Sequence, residues 1–242
     1  MKPLDRDEGI LLIRSFLRET LQPFVMAGLH GSVARNEAKP ESDVDVILIL
    51  NPVQTERIER EHLIYAGRRL QIIRGAAYHF RERFAKIAKS GDNFMATIFV
   101  KGVFADGDIN LFQRLQMEAQ EVEDRGPTPP STDELAGLAM RIYDSIEKLA
   151  YHGTPDQRMH IAFHVMRHFG VFLCRQHQTW LHTGASQYTQ ISGLEPKLLD
   201  SATEALRSGI WQDNYCGFGD ILCRYLRSHG YEAWHTDARV RM

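Results

Sequence analysis

The sequence predicts an α+β chain in which strands and helices share the first half and helices alone fill the second. Three observations point there. Two apolar runs of strand length, residues 24–29 and 44–50, lie close together near the N-terminus. Beyond the middle, Leu135, Leu138, Ile142, Ile146 and Leu149 recur at the spacing of one helix face. Between them, Arg125-Gly126-Pro127-Thr128-Pro129-Pro130 can extend neither pattern and reads as a linker. Residues 1–124 are therefore expected to form one domain and residues 131–242 a second.

Composition narrows the class. A chain of 242 residues, 43% hydrophobic and 25% charged, can bury one generous core or two smaller ones. Its net charge of −2 gives no general attraction to nucleic acid or acidic membranes, so only a local basic patch would supply one. Cys174, Cys216 and Cys223 have neither disulfide-framework nor zinc-ligand spacing, which suits a reducing compartment. No signal-peptide pattern opens the sequence and no apolar run reaches membrane-spanning length, so a cytoplasmic protein is expected.

Residues 5–21 read as an amphipathic helix with Ile10, Ile13, Leu17 and Leu21 on its stripe, stopped by Gln22-Pro23. The first strand follows, and His30-Gly31-Ser32 makes a small-residue turn from which Val33 to Asn36 can open a short helix. After a loop with Pro40, Ser42-Asp43-Val44-Asp45 starts the second strand. Residues 54–67 are expected as a helix, 70–73 as a short strand, 80–89 as a helix, and 95–104 as an apolar strand broken near Gly102. Asp106 and Asp108 either approach the same site or belong to a solvated turn. Ser131 and Glu134 fit a capping box for the next helix. Residues 159–180, 196–206 and 215–226 continue as helices, with Gly184 and Gly193 punctuating a connection, so that a bundle results. The polar tail, residues 230–242, is expected to fray.

The chemistry concentrates between residues 29 and 50. Side chains two apart on a strand share a face, so Asp43 and Asp45 project together while Val44 and Val46 enter the core. Adjacent anions repel unless a cation sits between them, and hard divalent ions such as Mg²⁺ favour carboxylate oxygens. The Gly31-Ser32 turn lets backbone N–H groups approach a phosphate with no Cβ in the way. In the following loop, Arg35 and Lys39 are the cations placed to meet a triphosphate. Phosphoryl or nucleotidyl transfer needs such a phosphate cradle beside a metal-binding carboxylate pair.

Gly31-Ser32 followed by Asp43-Val44-Asp45-Val46 resembles the signature of the nucleotidyltransferase superfamily related to DNA polymerase β, in its minimal and aminoglycoside forms. The resemblance covers about the first half of the chain. It implies a mixed sheet with flanking helices, Mg²⁺ (or Mn²⁺) on Asp43 and Asp45, and an NTP, ATP first, held by Gly31 and Ser32. It also implies a third carboxylate on the strand at residues 70–73, where this sequence has Gln71, an amide that cannot act as a base. The implied reaction moves an NMP to an acceptor hydroxyl or amine on a small molecule, a protein or an RNA end, with release of pyrophosphate. A homodimer is compatible with it. The rival reading is a catalytically impaired binding or antitoxin-like module.

Helical domains accompany many such enzymes. By the same resemblance, Asp144 or Glu147 would supply a base and Lys148 would meet the triphosphate, unless these are solvated helix charges. His160, His164 and His168 line one helical face, either as a polar surface or as a transition-metal stack. Arg158 with His164, and Arg175 with His182, resemble the Arg-spacer-His element of HEPN-domain ribonucleases.

Overall fold

The computed structural model describes residues 2–21, 23–151, 153–182 and 185–232. The chain divides into two compact units, Met1–Gly126 and Pro127–Met242.

The first unit is built on a five-stranded mixed sheet of order β3-β4-β2-β1-β5. Its strands are β1 (Met26–His30), β2 (Val44–Leu50), β3 (Glu59–Tyr65), β4 (Arg68–Ala76) and β5 (Val103–Gly107). The central pair β2 and β4 runs parallel and the other pairs antiparallel. Helix α1 (Arg6–Thr20) begins in a capping box in which the Asp5 carboxylate accepts from Glu8 N–H and the Glu8 carboxylate from Asp5 N–H. It buries Ile13, Phe16 and Leu17 with Val44, Val46, Leu48, Leu70 and Ile72 from one sheet face. Leu21 does not join that stripe. It adopts the left-handed conformation that ends the helix and is 85% exposed. Helices α3 (Ala77–Ser90), α4 (Phe94–Val100) and α5 (Ile109–Arg125) pack together, with Phe80, Phe84 and Phe99 in edge-to-face ring contacts.

Two expectations are corrected here. Residues 54–67 are not a helix: after a 3-10 turn at Pro52–Gln54 the chain forms edge strand β3. Ala66 and Gly67 both have positive φ, the two-residue turn that closes a tight hairpin onto β4. The period is two. Glu59, Glu61, Leu63 and Tyr65 are half-buried and alternate with exposed Arg60, His62 and Ile64. Arg74 on β4 binds both acids, Nε to Glu59 at 3.1 Å and Nη1 to Glu61 at 3.0 Å. A strand face that is partly acidic is thus neutralised by its neighbour, and hydrophobicity alone does not disclose it.

The apolar segment 95–104 is likewise not one strand. Its first part is α4, apolar except for Thr97 and packed against α3 and α5, and only residues from Val103 on are β. Short apolar runs leave helix and strand undecided by periodicity. Asp108 caps α5 by accepting from Leu111 N–H, and the Asp106 carboxylate accepts from Gly107 N–H, so both acids serve local turns.

The second unit consists of α6 (Thr132–Tyr151), α7 (Pro155–Gln176), α8 (Ala185–Leu194), α9 (Pro196–Gln212) and α10 (Cys216–Ser228). Ser131 Oγ accepts from Glu134 N–H at the start of α6. Ile142, Phe169, Phe172, Leu199, Phe218 and Leu222 lie in its core. The connection marked by two glycines contains α8. Gly193 is inside that helix, whereas Gly184 lies outside the described residues, as does the tail from residue 233.

Candidate functional site

β1 ends at His30, and the chain turns at once into α2 (Gly31–Ala34), one short helical turn. Two contacts pin that turn to the start of α1: Arg6 Nε donates to Ala34 O at 2.8 Å, and Asn36 Oδ1 accepts from Arg6 N–H at 2.9 Å. Gly31 has φ +73°, which favours glycine. Its hydrogen also fills a space nothing larger fits. A Cβ at this position would lie 2.0 Å from Asp45 Oδ2 and 2.8 Å from Asp45 Cγ. The carboxylate of Asp45 therefore packs directly on the Cα of Gly31.

Strand pairing places a polar row across the sheet at this level. His30 on β1 faces Asp45 on β2, Asp45 faces Gln71 on β4, and Gln71 faces His62 on β3. Opposed residues share a face, so these four side chains rise on the same side. Asp43, two residues earlier, shares that side, and Arg69 Nε stands 2.6 Å from its Oδ1. The contact is one of charge rather than an aligned hydrogen bond, because Asp43 Oδ1 is buried with no hydrogen-bond partner.

The electrostatics follow. Asp45 is pushed up to about 6, first by burial and then by the like charge of Asp43, while Arg35 and His62 pull the other way. His30 is held down at about 4 by burial, with Arg35 and Arg60 adding to the effect. At neutral pH it is an uncharged imidazole whose buried Nε2 has no partner.

The structure thus brings together Gly31, Asp43, Asp45 and Arg35, with Ser32 next to Gly31 in α2. Arg35 is C-terminal to α2 and pairs with Glu37 at 2.7 Å. Lys39 is exposed in the turn before β2, where its N–H donates to Ser42 Oγ. Lys148, Asp144 and Glu147 are exposed on α6 of the second unit. Gln71 occupies the register position beside Asp45, where the resemblance implied a carboxylate. Among the described residues no group of three or more His, Cys, Asp or Glu side chains is placed to hold a metal ion. Two hard carboxylates on one face suit a Mg²⁺ ion, which would take the place of the Arg69 guanidinium beside Asp43 Oδ1.

Three residues escaped sequence reasoning. His30 was visible only as the residue before the glycine. His62 and Arg69 needed the correct strand assignment, from which period-two parity places them on the face of Asp45.

The histidines of α7 form a ladder: His160 Nε2 and His164 Nε2 are 3.0 Å apart, and the His164 and His168 ring centroids 6.3 Å. The Arg-His pairs are not assembled as expected, because Arg158 binds Asp213 and Arg175 is buried in a two-point ion pair with Glu134.

Comparison with known proteins finds a family match over part of the chain. Residues 12–95 match the model of the nucleotidyltransferase domain. No curated protein matches the chain. Among solved structures, it is similar to a nucleotidyltransferase-like protein from Exiguobacterium sibiricum 255-15, with 12% identity and a TM-score of 0.45 over 90% of this chain and 80% of that one.

Proposed function

We propose, from the match of residues 12–95 to the nucleotidyltransferase domain model, that the chain transfers an NMP, AMP first, from an NTP to an acceptor hydroxyl or amine. Pyrophosphate leaves. The supporting observation is the packing of the Asp45 carboxylate on the Cα of Gly31, which puts the acid pair beside the glycine-serine turn.

Asp43 and Asp45 are the residues that would hold Mg²⁺ or Mn²⁺, and the bound ion would neutralise charge on the phosphates and on the leaving pyrophosphate. The chain's own groups do the rest. The backbone of Gly31 and Ser32 orients the triphosphate, and Arg35 and Lys39 add positive charge near it. Gln71 cannot take the proton of the acceptor. His62 is in register with Gln71 on the same face, so its imidazole is the base we assign to the acceptor proton. The acceptor is a small molecule, a protein side chain or an RNA end.

Gln71 beside Asp45 favours one alternative, a nucleotide-binding module without turnover. The discriminating measurement is Mg²⁺-dependent pyrophosphate release from ATP over a panel of acceptors, the protein itself included. Release that disappears in Asp43→Ala with Asp45→Ala supports transfer, whereas ATP binding with no release under any acceptor supports the module.

A further inference from the structure

A cavity of about 470 Å³ opens in the first unit where β3 meets α3 and α4. Arg60, Arg83 and Lys86 line it over a floor that includes Ile58 and Phe94. The Arg60 guanidinium lies over the Phe94 ring, 5.2 Å from its centroid. Among the described residues none of these three cations enters an ion pair, unlike Arg35, Arg57, Arg69, Arg74 and Arg81 of the same unit. The acid in the lining, Asp92, accepts from Phe94 N–H at the start of α4. A chain of net charge −2 thus holds a positive hollow with an aromatic wall.

Its position relates it to the catalytic row. Arg60 is two residues along β3 from His62 and on the same face, and its charge reaches His30. Strand spacings put the Arg60 Cα about 12 Å from that of Asp45. The volume is in the range of small-molecule pockets.

We propose that this hollow is the acceptor subsite and that the acceptor carries a phosphate group. The inference rests on the transferase reading of the acid pair and adds the chemical class of the second substrate. Arg83 and Lys86 hold the phosphate, and Phe94 with Ile58 receives its ring or carbon skeleton. The hydroxyl to be modified then lies toward His62 and Asp45. A polycationic acceptor of the aminoglycoside kind would meet a lining of net positive charge, three cations against Asp92, and is disfavoured. The phosphate can come from a free monoester or from a polynucleotide end.

The test is titration calorimetry on the full chain, without ATP or metal, using UMP, a 5′-phosphorylated uridine trinucleotide and kanamycin. Wild type, Arg83→Glu with Lys86→Glu, and the milder Arg83→Gln with Lys86→Gln are compared, with circular dichroism confirming their folding. We expect at least one phosphate-bearing probe to bind, its affinity to fall tenfold or more in the charge-reversed protein and by less in the neutralised one, and kanamycin not to bind. A trinucleotide preferred over UMP identifies a polynucleotide end, and equal binding identifies a free monoester. Equal affinity in all three proteins, no binding of either phosphate probe, or binding of kanamycin overturns the proposal. Because these titrations need no turnover, they fail independently of pyrophosphate release, whose absence counts against transfer alone.

Discussion

At the scale of single residues, the site holds like charges together at a cost to folding. Asp45 is destabilised as an anion by burial and by Asp43. Asp45→Asn should therefore raise the melting temperature measured in chelator while lowering pyrophosphate release by at least about a hundredfold. A lowered melting temperature would show that the carboxylate is instead stabilised where it sits. His62 makes a different prediction. His62→Gln should reduce kcat about a hundredfold and leave ATP binding unchanged. An unaltered kcat would remove His62 from the proton's path. The acids and the glycine were legible in sequence because their spacing is itself the signal. His62 was not, since its role depends on which strand lies two places away.

At the scale of elements, the hairpin β3-β4 and the histidine face of α7 carry the arguments. Gly67, with φ +72°, meets no neighbour that a Cβ would strike, so Gly67→Ala tests backbone strain alone. A loss of about 1 kcal/mol in denaturant unfolding is expected. On α7, His168 is held below the usual imidazole range, first by burial and then by His164 and Arg167 on its own helix and Arg141 on α6. Its Nδ1 is buried without a partner. The unfolded chain binds this proton near pH 6.5, the folded one only lower, so acidification below about 6.5 favours unfolding. His168→Asn should flatten the dependence of stability on pH between 7.5 and 5, and an unchanged slope would contradict the shift. The strands β1 and β2 could be read from their apolar runs, which are buried on both faces. β3 could not, because its inward residues include two glutamates, both of which Arg74 neutralises. α4 failed for the opposite reason, its burial leaving no polar side to reveal a period.

At the scale of the whole molecule, each unit has its own hydrophobic core, and the proline-rich segment after Arg125 separates them. Brief trypsin treatment should cut first at Arg125 and leave two resistant fragments, a result read by mass spectrometry. Early cuts scattered through either unit would argue against independent cores. The linker was legible because proline and glycine break both periodicities. The number of helices beyond it was not, since α8 has a glycine within it and only a short apolar face.

The contact between Gly31 and Asp45 also constrains how the protein can change. A methyl group at residue 31 is excluded by the acid opposite it, so the harm done by Gly31→Ala should shrink once Asp45→Gly has removed that acid. Only the part caused by the left-handed backbone would persist. The two positions are therefore coupled in any double-mutant cycle, and a lineage that abandons the acid lifts one of the two constraints on the glycine.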